Sequence, residues 1–383
     1  MEQSDSNYVF LTGATGLLGS HILWNCLERG EHIAVLVRPG KKESAEQRIT
    51  GILRHFEAET GKTVRPPRIF SGNLFHSSWI DQHSGWFADH CRTMIHCAAS
   101  LTFYGNAESE PYRSNTGGTE QILKLADKAG IGEMHYVSTA YVAGSSRSFS
   151  ENNIDIGQEL RNDYEKSKFQ AEKMVRSAGF NDLTVYRPSI VVGDSKTGYT
   201  ATFHGFYAVL KLAHTLVQRM PLGSTSGRGL LTALGLSGTE HKNFVPVDWV
   251  TAVFDYIYRH RELHQSTYHL TAPKPPLLTD FVDMVQDAVE TYSKLADKKD
   301  RHAADESWFF ENYFKEVQIY KAYLQDDPQF DSANTQSAAP HLPCPVMDKE
   351  LMLFLARYAI LSNFGKRDVL HLSSKMLKES RAV

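Results

Sequence analysis

The chain has 383 residues, 42% of them hydrophobic and 22% charged, with a formal net charge of −3. That composition buries a large core in one or two domains, and the near-neutral balance argues against nucleic acid or an anionic membrane as a partner. Four scattered cysteines (Cys26, Cys91, Cys97 and Cys344) form no C-x-x-C pair, so no disulfide framework and no metal site is expected, and a reducing cytoplasm fits. Residues 1–5 are polar and acidic, unlike a signal peptide, and no apolar run approaches the ~20 residues of a membrane helix.

In chain order, Tyr8-Val9-Phe10-Leu11 predicts a first strand, followed by a helix from 17 to 29 that Gly30 ends. Further strands are expected at 33–37, 68–70, 93–97, 134–138 and 183–187, with a helix over 116–129 before the fifth. The strands are continuous apolar runs, as in a parallel sheet covered by helices on both faces, so the fold class is α/β. Residues 200–220 predict a long apolar helix carrying Phe203, Phe206, Tyr207, Leu210, Leu216 and Val217. Residues 324–345, rich in Asp, Ser, Pro and Ala, predict a loop, and 349–361 a last amphipathic helix. The expected division is a dinucleotide-binding domain over 1–198, to which 240–270 returns. A smaller, mostly helical substrate lobe then takes 199–239 and 271–383.

Two stretches carry chemistry. Thr12-Gly13-Ala14-Thr15-Gly16-Leu17-Leu18-Gly19 joins the first strand to the first helix with G-x-x-G-x-x-G spacing. Glycine there permits close backbone approach, and a helix N-terminus offers free N–H groups to a pyrophosphate, as in a Rossmann-type doubly wound sheet. Where a NAD site carries an acid about 20 residues further on, this chain has Arg38, with Lys41 close by. A guanidinium suits a 2′-phosphate, so NADPH is expected over NADH. Tyr164 and Lys168 form Y-x-x-x-K, one face of a helix, where the ammonium should lower the tyrosine pKa toward acid/base use. Ser138 and Thr139, side by side after the fifth strand, are both candidates to hold a carbonyl oxygen.

The ordered set T-G-A-T-G-L-L-G, H-C-A-A-S, N-T-G-G-T, V-S-T-A-Y-V-A-G, Y-E-K-S-K and R-P-S-I-V-V-G resembles the extended short-chain dehydrogenase/reductases over about the first 195 residues. The resemblance implies catalytic roles for Thr139 (Ser138 as second choice), Tyr164, Lys168 and Asn115, with Tyr164 and Lys168 also at the cofactor. It places Thr12, Gly13, Thr15, Gly16, Leu17, Leu18 and Gly19, Arg38 and Lys41 at the cofactor as well. Asn73 and Leu74 fall at the adenine, Ala98 and Ala99 at the nicotinamide ribose, and Ser100, Pro188, Ser189 and Ile190 close the cofactor set. Leu36-Val37-Arg38-Pro39 and Gly193-Asp194-Ser195-Lys196-Thr197-Gly198 look most like the fatty acyl-CoA reductase and thioester reductase branch. That implies NADPH-dependent reduction of an acyl thioester, on coenzyme A or a carrier protein, to aldehyde or alcohol. A ketone/alcohol dehydrogenase or nucleotide-sugar epimerase of the same family is the alternative. The resemblance leaves room for a homo-oligomer.

Overall fold

Alternation of apolar strands with amphipathic helices dictates the architecture from the first residues onward. The computed structural model describes residues 7–73, 77–106, 108–219, 227–292 and 324–366. The elements are β1 (Tyr8–Thr12), α1 (Leu17–Glu28), β2 (His32–Val37), α2 (Ala45–Thr60), β3 (Arg68–Ser71), α3 (Ser77–His90) and β4 (Cys91–His96). After a π-helical turn at Arg113–Gly117 come α4 (Gly118–Ala129), β5 (Glu133–Val137), β6 (Ser148–Phe149), α5 (Asp163–Arg176), β7 (Asp182–Pro188) and β8 (Ile190–Val192). Next are α6 (Phe206–Arg219), α7 (Gly227–Ala233), β9 (Phe244–Pro246), α8 (Val247–Arg259), β10 (Thr267–Leu270) and α9 (Leu278–Tyr292). The described chain ends with β11 (Gln329–Phe330), α10 (Ala333–Ala338) and α11 (Lys349–Leu361). Among the described residues no helix is long and apolar enough to cross a membrane.

The chain divides into two compact units. The first takes residues 1–189, 249–271 and 328–343, and the second 190–248, 272–327 and 344–383. Residues 190–198 and 240–248, expected with the dinucleotide-binding domain, thus fall in the second unit. Residues 328–343, expected with the lobe, fall in the first. The reason is backbone pairing: Ile190–Val192 pairs with Phe244–Pro246 as a separate parallel pair, and Gln329–Phe330 pairs with Ser148–Phe149. The stretch expected to be a loop therefore contains β11 and α10.

In the first unit seven parallel strands run in the order β10-β7-β5-β4-β1-β2-β3, a Rossmann-type doubly wound sheet. Its direction of winding reverses between β1 and β4, the switch point at which such sheets bind ligands beyond the carboxyl ends of the strands. Phe10, Ala34, Met94, Met134 and Tyr136 are buried there between helices on both faces. In the second unit α6, α7, α9 and α11 pack around Phe206, Tyr207, Leu210, Phe244, Phe281 and Leu355. Phe203 precedes α6, which begins three residues later. The side chains of Leu216 and Val217 lie outside the described residues. A buried Lys242–Asp327 pair (Nζ–Oδ1 2.7 Å) ties Asn243 through its N–H to the other Asp327 oxygen, at 2.7 Å.

One buried ion pair welds α5 to β7 in the first unit. Arg187 donates from Nη2 to Glu172 Oε1 (2.6 Å) and from Nε to Oε2 (3.1 Å), and both side chains are fully buried. Burial alone would raise the Glu172 carboxyl, but the charges of Arg187 and Arg176 and the Ser138 hydroxyl outweigh it and hold the pKa at about 2. A carboxyl depressed on folding stabilises the native state above its unfolded pKa and loses that contribution as pH falls through the folded one. Glu172→Gln strands a buried guanidinium and should lower the unfolding free energy by about 3–5 kcal/mol in a urea titration at pH 7. The gap between wild type and variant should narrow as the titration is repeated from pH 5 toward pH 2. A gap that persists unchanged at the lowest pH would refute this assignment.

Candidate active site

The loop after β1 and the loop after β4 meet at the switch point with almost no space between them. Gly13 has φ +79°, and a Cβ there would come within 2.6 Å of the Ala98 nitrogen and 2.7 Å of the Cys97 carbonyl carbon. A Cβ on Gly19 would strike the Gly13 backbone, so α1 can start this close to β1 only with glycine. Gly16 caps α1 without a side-chain partner, leaving N–H groups of its first turn directed outward.

A chain of hydrogen bonds with one direction fixes the floor of this crossing. The Thr119 hydroxyl donates to the Asn115 carbonyl (2.5 Å), so it accepts from His96 Nε2 (3.0 Å). His96 Nδ1 then accepts from the Thr12 hydroxyl (2.6 Å), which accepts in turn from the Ala98 N–H (3.4 Å). Burial, then the charge of Lys168, push the His96 pKa down to about 3, so its ring stays neutral, as the chain requires.

A pocket of about 210 Å³ opens beside the crossing. Of the residues expected at a cofactor, Thr12, Gly13, Thr15, Gly16, Arg38, Asn73, Ala98 and Ala99 line it. Sequence reasoning missed four more: Leu36, Arg48, Cys97 and Ser114. Arg48 is the consequential one. It donates from Nη1 to the Arg38 carbonyl (2.7 Å) and from Nη2 to the Thr15 hydroxyl (3.0 Å), bridging the loops after β2 and β1. Ser44 opens α2 with a capping box closed by Gln47, which fixes where on the helix Arg48 projects. Ser44 ahead of Gln47 was the available signal.

Lys41 is not brought to the pocket. It stands exposed in a turn closed by the Gly40 N–H to the Glu43 carbonyl, 2.8 Å. Leu17, Leu18 and Gly19 pack α1 rather than line the cavity. Leu74 lies outside the described residues. Ile190 opens the second unit, while Pro188 and Ser189 end the first-unit segment, where Ser189 N–H donates to the Leu270 carbonyl (3.2 Å).

At the carboxyl end of β5 the two adjacent hydroxyls part. Ser138 donates to Glu172 Oε2 at 2.6 Å and is committed to the buried ion pair. Thr139, buried, is held by the Pro188 carbonyl (3.4 Å) and the Tyr141 N–H (3.3 Å), and its hydroxyl lies beside the Tyr164 phenol. The Lys168 ammonium is hydrogen-bonded elsewhere. Its Nζ donates to the Tyr136 hydroxyl (3.0 Å) and the Val137 carbonyl (2.9 Å). The expected lowering of the Tyr164 pKa is therefore absent: burial pushes it up to about 12, outweighing the Thr139 hydroxyl. Burial also draws Lys168 down to about 8, against the pull of Cys97 and Glu172.

Asn115 sits in the π-helical turn with every amide group engaged. Oδ1 accepts from the Ser100 N–H (2.7 Å), and Nδ2 donates to the Ser100 carbonyl (3.0 Å) and the Ser167 hydroxyl (2.9 Å). It thus clamps the loop after β4, Ser100 included, to α5, the helix that carries Tyr164 and Lys168.

The chain is similar to several known proteins. The chain is 25% identical over 91% of its length to an aldehyde reductase of Aspergillus flavus, of which the match spans 36%. It is 30% identical over 53% of its length to the L-2-aminoadipate reductase large subunit of Penicillium chrysogenum, spanning 16% of that protein. It therefore spans about a third or less of these curated relatives. Among solved structures, the terminal R domain from the myxalamid PKS-NRPS pathway shares the fold, with a TM-score of 0.69 at 23% identity, covering 94% of this chain and 92% of that one. A thiolation-reductase di-domain from an archaeal non-ribosomal peptide synthetase does so at 0.64 and 20%, covering 94% and 76%. Residues 11–254 match the NAD-binding family model described as male sterility protein. The chain therefore belongs to that male-sterility-like branch of the extended short-chain dehydrogenase/reductases.

Proposed function

We propose that this chain is an NADPH-dependent reductase of acyl thioesters, carrier-linked or on coenzyme A, that forms the aldehyde. The observation that carries the reading is the buried Thr139 hydroxyl at the end of β5 beside the Tyr164 phenol, in the same unit as a pocket holding two arginines. The names of the similar proteins, an aldehyde reductase and an L-2-aminoadipate reductase, support a reductase, and the thiolation-reductase di-domain supports a carrier-linked acyl group.

The backbone crossing that tolerates no Cβ at Gly13 fits a pyrophosphate lying against the start of α1. Arg38 and Arg48 together would hold a 2′-phosphate, with Arg48 exchanging its two neutral oxygen partners for charged ones. A bound nicotinamide supplies the hydride. Thr139 and Tyr164 hold the substrate carbonyl oxygen and stabilise the charge that develops on it. Tyr164, protonated at neutral pH by its raised pKa, gives its proton to that oxygen, forming a hemithioacetal. Its C–S bond then breaks, the sulfur leaves as a thiol, and the carbonyl of the aldehyde forms. Lys168, anchored on Tyr136 and Val137, keeps a positive charge near the reacting oxygen and the ribose.

Three measurements test this. NADPH oxidation with a long-chain acyl-CoA and with a carrier-bound acyl group should show turnover that Tyr164→Phe lowers by about 10²–10⁴-fold. Turnover of ketones with none of thioesters would replace the reading by a carbonyl dehydrogenase. Arg48→Ala should raise KM for NADPH by about 10–100-fold, the weight of hydrogen bonds to a charged group, and leave NADH nearly unaffected. Equal loss with both cofactors would remove the 2′-phosphate role. Because Lys168 loses its charge as pH rises through about 8, kcat/KM should fall over that range. The fall should be missing in Lys168→Arg, which stays charged.

A further inference from the structure

The amino ends of the strands, opposite the pocket, carry a second cluster that the hydride chemistry does not use. Glu133 opens β5, and His135, two residues on, shares its face of the strand. Asp182 opens β7 directly opposite Glu133 in the parallel register. His264 follows the short helical turn Arg261–Leu263 that leads to β10. One ligand atom each from Glu133, His135 and His264 lie within 4.8 Å of one another, and both histidines are buried.

The hydrogen-bond arithmetic at His264 does not close with a neutral ring and a carboxylate. Its Nε2 faces the Tyr258 carbonyl at 3.1 Å and its Nδ1 faces Asp182 Oδ2 at 3.0 Å. Both oxygens accept, whereas a neutral imidazole has a single N–H. The two contacts therefore need one further cation between them, a proton on the ring or on Asp182, or a metal. Asp182 Oδ1 is also buried without a hydrogen-bond partner. His135 offers the complementary arrangement: Nε2 faces Glu133 Oε1 at 3.1 Å, while Nδ1 meets the Tyr186 hydroxyl at 3.1 Å. Each histidine thus has one nitrogen against a carboxylate and the other held by an oxygen, the pattern that orients metal-bound imidazoles. The 3.1 Å between His135 Nε2 and Glu133 Oε1 is close to the ~3.3 Å edge of a tetrahedron with zinc–ligand bonds near 2.0–2.1 Å. Two carboxylates also outnumber the one cation among these contacts, Arg261, which reaches Glu133 Oε2 (3.0 Å) from an exposed position.

We propose that Glu133, His135 and His264 bind a divalent transition metal of the zinc type. Three protein ligands hold the ion, and the position they leave open can take water. The ion would join β5 to the turn that feeds β10. The sequence pointed to no metal because His135 and His264 stand 2 and 131 residues from Glu133 along the chain.

The test uses the full chain, stripped with a chelator and then titrated with zinc by calorimetry and with cobalt by visible absorption. One equivalent of zinc should bind, cobalt should give the intense d–d bands of a tetrahedral site, and saturating zinc should raise the thermal midpoint by about 5 °C. Glu133→Gln, which keeps the shape, should weaken zinc binding at least tenfold, and His264→Gln should abolish the cobalt bands. If either variant fails to fold, the wild-type stoichiometry and cobalt spectrum still decide. No binding, cobalt bands of an octahedral hydrated type, or binding undiminished in both variants would each overturn the site and leave His264 simply hydrogen-bonded between Asp182 and the Tyr258 carbonyl.

Discussion

Everything at the switch point depends on how closely the backbone at Gly13 passes the backbone at Ala98. No side chain fits between them, and none fits between Gly19 and Gly13. That proximity brings the first turn of α1 over the carboxyl ends of β1 and β4, where a phosphate can meet free N–H groups. The constraint is held from below by the directional chain from the Ala98 N–H through Thr12, His96 and Thr119 to the Asn115 carbonyl. A neutral imidazole is what lets that chain keep one sense throughout. A charged one would have two donors and would meet Thr12 with the wrong polarity.

The same economy governs the catalytic end. Ser138 and Thr139 are adjacent on an extended backbone, so their side chains point opposite ways. Ser138 is drawn to the Glu172–Arg187 pair and Thr139 to Tyr164. Asn115 spends all its hydrogen-bonding capacity on joining the loop after β4 to α5, so the two walls of the site are positioned by one side chain.

Much of this was legible in the amino-acid sequence because it is local. Gly13, Gly16 and Gly19, the strand runs and the Tyr164–Lys168 spacing each declare themselves within a few residues. Arg38 was legible from its distance to the glycines. Arg48 was not read, because although Ser44 and Gln47 mark the start of its helix, its place also depends on the length of the turn before it, and Lys41, nearer in sequence, is carried off by that turn. The Tyr164 pKa was misjudged because spacing shows that a lysine is near but not that its ammonium is spent on Tyr136 and Val137. The division between units was displaced because strand pairing, β8 with β9 and β6 with β11, joins segments far apart in the chain.

The bridge made by Arg48 restricts how this region can change over evolutionary time. Its guanidinium reaches Arg38 and Thr15 from the first turn of α2, whose start is set by Ser44. One residue inserted between Ser44 and Arg48 would swing the arginine by about 100° around the helix axis and carry it off the cleft. An insertion in the exposed turn before Ser44 leaves that angle untouched. Length variation is therefore cheap on one side of a single serine and ruinous on the other, a boundary drawn by helical geometry alone.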